Sequence, residues 1–389
     1  MTTTTTIPNI SAGEGTNPLK GLLAYGQSPW MDYVRRDLLT SGQLKKYIDN
    51  DGLRGMTSNP SIFEKAITGS NLYTDVLNSP AAKKLDANGL FEKIAIRDIQ
   101  DACDIFKPVY DASKRRDGYV SIEVSPFLGN ETQATIDEAR RLWKAVNRPN
   151  VMVKIPGTPE GLPAIRQCLE EGLNINITLL FAQSAYEQVA EAFLSALEAR
   201  AAKGQDISHI ASVASFFVSR IDTLIDSKID EKLKTTTDAS QKALLESIRG
   251  KVAIANARLT YKKYQELFGG VRWKALAAKG AQTQRLLWAS TSTKNPKYRD
   301  VIYVEELIGA DTVDTIPPAT FDAFREHGKL RPSLTENVEG AAKTMADLAK
   351  AGISMKEVTD KLLVDGVKLF SDAFRTLLDA VGKSAGVRG

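Results

Sequence analysis

Short β-rich runs alternate with long helical stretches along almost the whole chain, and this alternation limits the fold more than any other feature. The strand candidates are Leu53–Ser58, Tyr119–Val124, Val151–Ile155, Ile175–Leu180, His209–Val218, Arg285–Ala289 and Thr312–Ile316, with a weaker one at Pro29–Tyr33. Between them lie helical patterns such as Thr132–Ala145, Leu162–Glu171, Ser184–Ala201 and Asp222–Leu233. Lys242–Phe268 reads as one long helix or two, and Lys356–Ala380 as a terminal amphipathic helix. Strands separated by helical crossovers pair in parallel, because each crossover returns the chain to the same end of the sheet. Eight such units in 389 residues, with no low-complexity linker between them, predict one α/β domain. The expected architecture is a single (β/α)8 TIM barrel with helical insertions and a C-terminal helix packed on the barrel. An open doubly wound sheet is the alternative, but it usually carries a glycine-rich turn after its first strand. Gly13 and Gly15 lie instead in a polar stretch near the start. Residues 1–18 are expected to form a disordered lead-in, and residues 19–389 the barrel domain.

Composition narrows the chemistry. The chain holds 2 His and 2 Cys, too few for a Cys/His metal site, so no metal is expected. His209 is expected at the start of a strand and His327 in a late loop, and either could serve only chemistry that needs a single imidazole. Cys103 and Cys168 give no disulfide framework, which suits a reducing cytoplasm. The net charge is +4 with scattered basic residues, and the Lys114–Arg116 cluster is followed at once by Asp117. A continuous phosphate-tracking stripe is therefore missing, and nucleic acid is not an expected partner. No stretch of 18 apolar residues occurs, so no membrane-spanning helix is expected. The first residues lack the basic start and apolar centre of a secretory signal, and the chain is read as cytoplasmic. If it is an enzyme, Lys, Asp and Glu must carry the work.

Side chains alternate across a strand, so each strand divides into two faces. Val120, Ile122 and Val124 share one face, and Ser121, Glu123 and Ser125 the other. Val151, Val153 and Ile155 oppose Met152 and Lys154. Ile175, Ile177 and Leu179 oppose Asn174, Asn176, Thr178 and Leu180. The β-branched faces suit the surrounding helices, which leaves a carboxylate, an ammonium, an amide and a hydroxyl directed at the barrel axis. Such groups are costly there unless they satisfy one another or bind something. One reading is an internal Glu123–Lys154 salt bridge holding the barrel in register. The other is catalytic, because Lys154 sits near the C-terminal strand ends where barrel active sites form, followed by the loop residues Pro156, Gly157 and Thr158. A lysine of ordinary pKa, ~10.4, is unprotonated only about once in ~2,500 molecules at pH 7. Burial lowers that pKa, and the free amine attacks ketones to form a Schiff base that serves as an electron sink for carbon–carbon cleavage. Glu123 would then be an acid–base partner, directly or through a water held by Thr178.

Two further segments fit the same rim. Asn59, after Met56-Thr57-Ser58, either caps the following helix or bonds a substrate hydroxyl. Arg220, after the strand that carries Ser215, either clamps a phosphate or pairs with Asp222.

These motifs resemble the transaldolase family, in its long bacterial form. Gly55-Met56-Thr57-Ser58-Asn59-Pro60-Ser61-Ile62-Phe63 is similar to the family's N-terminal signature. Val151 to Thr158, with Gly161 beyond, resembles its Schiff-base lysine signature, and Asn174 to Phe181 the strand that follows. The order and spacing agree from about Leu22 to the C-terminus, and Trp288-Ala289-Ser290-Thr291 points to the longer members. The resemblance implies a cofactor-free enzyme of the non-oxidative pentose phosphate pathway. It would move a dihydroxyacetone unit from sedoheptulose 7-phosphate or fructose 6-phosphate to glyceraldehyde 3-phosphate or erythrose 4-phosphate.

Carried over by position, the resemblance makes Lys154 the nucleophile, with Glu123 and Thr178 holding a catalytic water. Asp32, a solvated charge by pattern alone, becomes the acid/base for the C4 hydroxyl. Asn59 and Asn176 would hold the three-carbon unit, Ser215 and Ser290 would line the site, and Arg220 would bind phosphate. Many members carry a second phosphate-binding Arg two residues past Ser290; here Ser292 stands there, and Lys294 is expected to substitute. Two alternatives stay open: an aldolase acting on fructose 6-phosphate, and a sugar-phosphate-binding barrel without activity. The C-terminal helix, with Leu369, Phe370 and Phe374 on an apolar stripe, is either core packing or a lid.

Overall fold

The computed structural model describes residues 17–80 and 82–385, so most of the expected lead-in lies outside the described residues. At its edge, Asn17 caps the first helix, Pro18–Gly21, through a side-chain bond from the Leu19 amide. All eight expected strands form. They are β1 (Gln27–Asp32), β2 (Gly55–Thr57), β3 (Tyr119–Glu123), β4 (Val151–Pro156), β5 (Ile175–Leu180), β6 (Ser212–Phe217), β7 (Arg285–Ala289) and β8 (Thr312–Ile316). Every neighbouring pair is parallel, and β8 closes on β1 to complete the barrel.

The division into faces explains how the barrel fills. Outward-facing Val120, Ile122, Val151, Val153, Ile175 and Ile177 are all buried under the surrounding helices. Inside, Trp30 fills the lower half, and Gly55 on β2 leaves it room: a Cβ there would lie 2.5 Å from the indole ring. The N-terminal end is stoppered by Arg285, which donates to Ser28 at 2.8 Å and to Asp117 at 2.9 Å. At the opposite, C-terminal end of the strands lies a cavity lined by Asp32, Lys154 and Arg220.

Longer excursions follow β2 and β6. The first carries the helices Pro60–Thr68 and Ala87–Ala112. The second carries Ser219–Thr235 and then two helices where the sequence left one or two open, Ala239–Ile248 and Val252–Gly269. They separate at Gly250, which adopts φ 65° and donates its amide to Asp226 at 3.1 Å. The last helix, Met355–Ala385, packs against Pro60–Thr68, Ala87–Ala112 and Ser219–Thr235.

Three local expectations need correction. His209 precedes β6, which begins at Ser212; its ring is held in a turn by Asp206 at 3.0 Å. His327 ends the helix Pro318–His327 and meets Asp300 at 3.0 Å, a basic side chain at the carbonyl end of a helix dipole. The alternation in β5 also fails after Thr178. Leu179 is left-handed at φ 61°, and the pairing with β6 shifts between Ile177 and Leu180, so Leu180 pairs with Phe216. A bulge of this kind re-aims the strand end beside the lysine strand.

Candidate active site

Strand register assembles the polar groups. Glu123 pairs with Lys154 across β3 and β4, and Lys154 pairs with Asn176 across β4 and β5. Alternation then aims all three at the axis, on one level of the barrel. Lys154 Nζ lies 3.3 Å from Glu123 Oε2 and donates to the Ser58 carbonyl at 3.2 Å. Both side chains are nearly sealed, 6% and 7% exposed. Burial lifts the Glu123 carboxyl to about 7, against the pull of the Lys154 charge and with a push from Asp32. Glu123 Oε2 is buried with the Lys154 ammonium as its one near polar neighbour, and Thr178 Oγ1 is buried without a hydrogen-bond partner in the protein.

Asp32, at the end of β1, faces the same space. Thr57 Oγ1 donates to its Oδ1 at 2.7 Å, and the Thr315 hydroxyl lies 2.7 Å from Thr57 and serves it as donor. Burial raises the Asp32 pKa above the ordinary carboxylate value, opposed by Lys154 and by the Thr57 bond.

Asn176 is fully buried and already engaged: it donates to Ser121 Oγ at 2.9 Å and accepts from Ser215 Oγ at 2.6 Å. It lies beneath the pocket lining and supports Ser215, which does line the pocket. Asn59 accepts from the Ile62 amide at 3.1 Å as a helix cap, and it also lines the pocket.

Arg220 resolves differently from its alternative. Asp222 accepts instead from the Ala253 amide at 2.8 Å and the Tyr303 hydroxyl at 2.9 Å. That leaves Arg220 Nη1 buried without a partner, its guanidinium 5.2 Å from the Phe217 ring, and burial alone lowers its pKa. Lys294 lines the rim nearby and is bonded to Ser292. Partial desolvation and the Arg220 charge lower its pKa, although the residue as a whole is exposed. Ser290 sits at φ 57° with its hydroxyl 2.9 Å from Ser219. Two non-glycine residues thus hold left-handed backbone at this rim, a conformation that tightly packed functional sites sustain.

The space these residues enclose is about 180 Å³, lined among others by Asp32, Asn59, Lys154, Thr178, Arg220 and Lys294. Larger hollows of about 520, 610, 670 and 240 Å³ lie outside it, and the first reaches Glu123. Of these hollows, the smallest is the one that joins the lysine, the aspartate and the unpartnered guanidinium. Sequence reasoning gave no site role to Thr57 or Thr315 and left Phe370 between core packing and a lid; all three line it. Thr57 and Thr315 were accessible from the same alternation, two residues past Gly55 and Val313. Phe370 was visible only as part of an apolar stripe.

The family model for transaldolase/fructose-6-phosphate aldolase matches residues 29–381. The chain belongs to this family. It is 50% identical over 368 residues to a protein of Trichodesmium erythraeum named transaldolase, covering 94% of this chain and 97% of the relative. A Parafrankia transaldolase is 45% identical over 372 residues, covering 95% and 99%. A Thiobacillus denitrificans transaldolase is 43% identical over 366 residues, covering 94% and 100%. Among the described residues no group of three or more His, Cys, Asp and Glu is placed to hold a metal ion, and no helix is long and apolar enough to cross a membrane.

Proposed function

We propose that this member of the family is a transaldolase that works through a Schiff base on Lys154. The observation that carries this reading is a buried ammonium, 3.3 Å from a buried carboxylate, that shares a pocket with an arginine lacking an acidic partner among the described residues. An ammonium must lose its proton before it attacks a carbonyl, and Glu123, lifted to about 7, is matched to exchange protons near neutrality. The unpartnered Thr178 hydroxyl, with the Glu123 carboxylate that meets only Lys154, suits a water that carries protons while the carbinolamine forms and collapses. Arg220, helped by Lys294, takes the phosphate of the ketose. Phosphate binding at the rim aligns the carbonyl with Lys154 below.

Asp32 removes the proton from the C4 hydroxyl, for which its raised affinity for protons is suited, and the C3–C4 bond breaks toward the iminium. The aldose phosphate leaves. The three-carbon enamine stays on Lys154, over Asn176 and beside Asn59, until a second aldose phosphate arrives. The substrates are thus phosphorylated ketoses and aldoses of the kind that sedoheptulose 7-phosphate and glyceraldehyde 3-phosphate represent.

Borohydride reduction in the presence of fructose 6-phosphate, followed by peptide mass mapping, tests the scheme. A three-carbon adduct on Lys154, lost in Lys154→Met, is the expected result. A folded protein that acquires no adduct would reject Schiff-base catalysis. Adding erythrose 4-phosphate separates transfer, which yields a seven-carbon sugar, from an aldolase that releases dihydroxyacetone.

A further inference from the structure

The enamine on Lys154 has two fates, capture by an aldehyde or protonation by water, and the pocket must favour the first. We propose that Phe370, from the C-terminal helix, is the residue that enforces this choice. Its ring faces Lys154 Nζ, 5.5 Å from the ring centre, and forms part of the pocket wall. The proposal rests on the Schiff-base reading above and adds a specificity role to a residue remote in sequence.

The helix that delivers Phe370 is seated closely. One turn earlier, Gly366 lies so near β5 that a Cβ would meet the Leu179 side chain at 2.9 Å and Arg220 Nη1 at 3.8 Å. One turn later, Phe374 packs edge-on against Phe91 and Phe127, with ring centres 5.5 and 5.4 Å apart. Ser371 donates to the Pro126 carbonyl at 3.4 Å. Gly366, Phe370 and Phe374 are spaced by four residues and so form one face of the helix. That face is turned to the pocket and its neighbouring elements, while Val364 and Leu369 on other faces are 69% and 54% exposed. The helix is held on both sides of Phe370, so the ring's position over Lys154 is enforced rather than incidental.

The ring has two effects. Its face attracts the positive charge of the iminium that precedes bond cleavage. It also excludes water and offers no proton of its own. In the side reaction, water protonates the enamine carbon and the resulting hydroxide adds to the iminium carbon. The C–N bond then breaks, Lys154 recovers its amine, and free dihydroxyacetone departs with one water consumed overall. Removing the ring admits that water, whereas aldehyde capture still uses the same lysine and aspartate.

The test compares Phe370→Ala and Phe370→Leu with the parent, supplying fructose 6-phosphate and erythrose 4-phosphate and measuring free dihydroxyacetone against seven-carbon product. Phe370→Ala should raise that ratio by about tenfold, while Phe370→Leu, which refills the space, stays within about threefold of the parent. Borohydride trapping on Lys154 should persist in both. An unchanged ratio in a trappable Phe370→Ala protein overturns the proposal and leaves the Schiff-base reading intact. Failure to trap even the parent overturns the underlying reading instead. Should Phe370→Ala not fold, Phe370→Ser and Phe370→Val make the same comparison, and equal ratios in both overturn the proposal.

Discussion

Arg220 offers a prediction with two opposite signs. In the free protein its guanidinium is a burden: it is desolvated, Nη1 has no hydrogen-bond partner, and the carboxylate two residues away is engaged elsewhere. Replacing it by methionine keeps much of the stem and removes the charge. An unsatisfied buried donor costs about 1–3 kcal/mol, and the lost contact with the Phe217 ring, 5.2 Å away, is worth about 0.5–1 kcal/mol in return. Arg220→Met should therefore leave the unliganded protein as stable as the parent or up to about 2 kcal/mol more stable. For 389 residues this is a rise in Tm of roughly 1–2 °C per kcal/mol. Substrate binding moves the other way. Two charge-assisted bonds to a phosphate, at about 1.5–3 kcal/mol each, imply a loss of about 3 kcal/mol or more and a KM raised about a hundredfold.

Thermal unfolding and steady-state kinetics on the same preparations read both signs. Inorganic phosphate should stabilise the parent and not Arg220→Met, because only a ligand held by the native state raises Tm. Lys294→Ala should raise KM less, since Lys294 is exposed and already bonded to Ser292. A variant that melts well below the parent while its KM is unchanged would refute the reasoning and make Arg220 a structural residue.

Three other outcomes follow from the geometry. The acidic limb of kcat/KM should titrate near 7, with activity falling as the pH drops and Glu123 takes up a proton; Glu123→Gln should abolish that limb and leave a lower, flatter profile. Thr178→Val removes a hydroxyl that has no protein partner, so stability should change by less than about 1 kcal/mol while Schiff-base formation, followed by borohydride trapping, slows by about 10–100-fold. Gly55→Ala places a methyl group 2.5 Å from the Trp30 ring and should cost about 1–3 kcal/mol in denaturant unfolding. A loss under about 0.5 kcal/mol would show that the indole moves aside.

Glu123, Lys154 and Asn176 were legible in the sequence because strand alternation is a property of the local backbone: knowing one inward residue gives the others two positions away. The same rule stopped at Leu179, where a left-handed residue inserts a bulge that no period-two pattern foresees. Asn59 was ambiguous for a different reason. One amide can cap a helix and line a pocket at once, and local chemistry alone does not choose between them.

By itself, then, the sequence determined the eight units, their parallel pairing and the polar inner face, all of which arise from short-range geometry and hydrophobic periodicity. It also carried the signatures that place the chain in its family. Tertiary structure alone decided what those groups touch. Asp32 gains its Thr57–Thr315 support only when β8 closes on β1. Arg220 is left unpaired only because Tyr303 and Ala253, brought in from later segments, occupy Asp222. Phe370 reaches Lys154 only because the last helix folds back over the strand ends. Contacts of this range are set by closure and packing among distant segments, and a local pattern holds no record of which of them will meet.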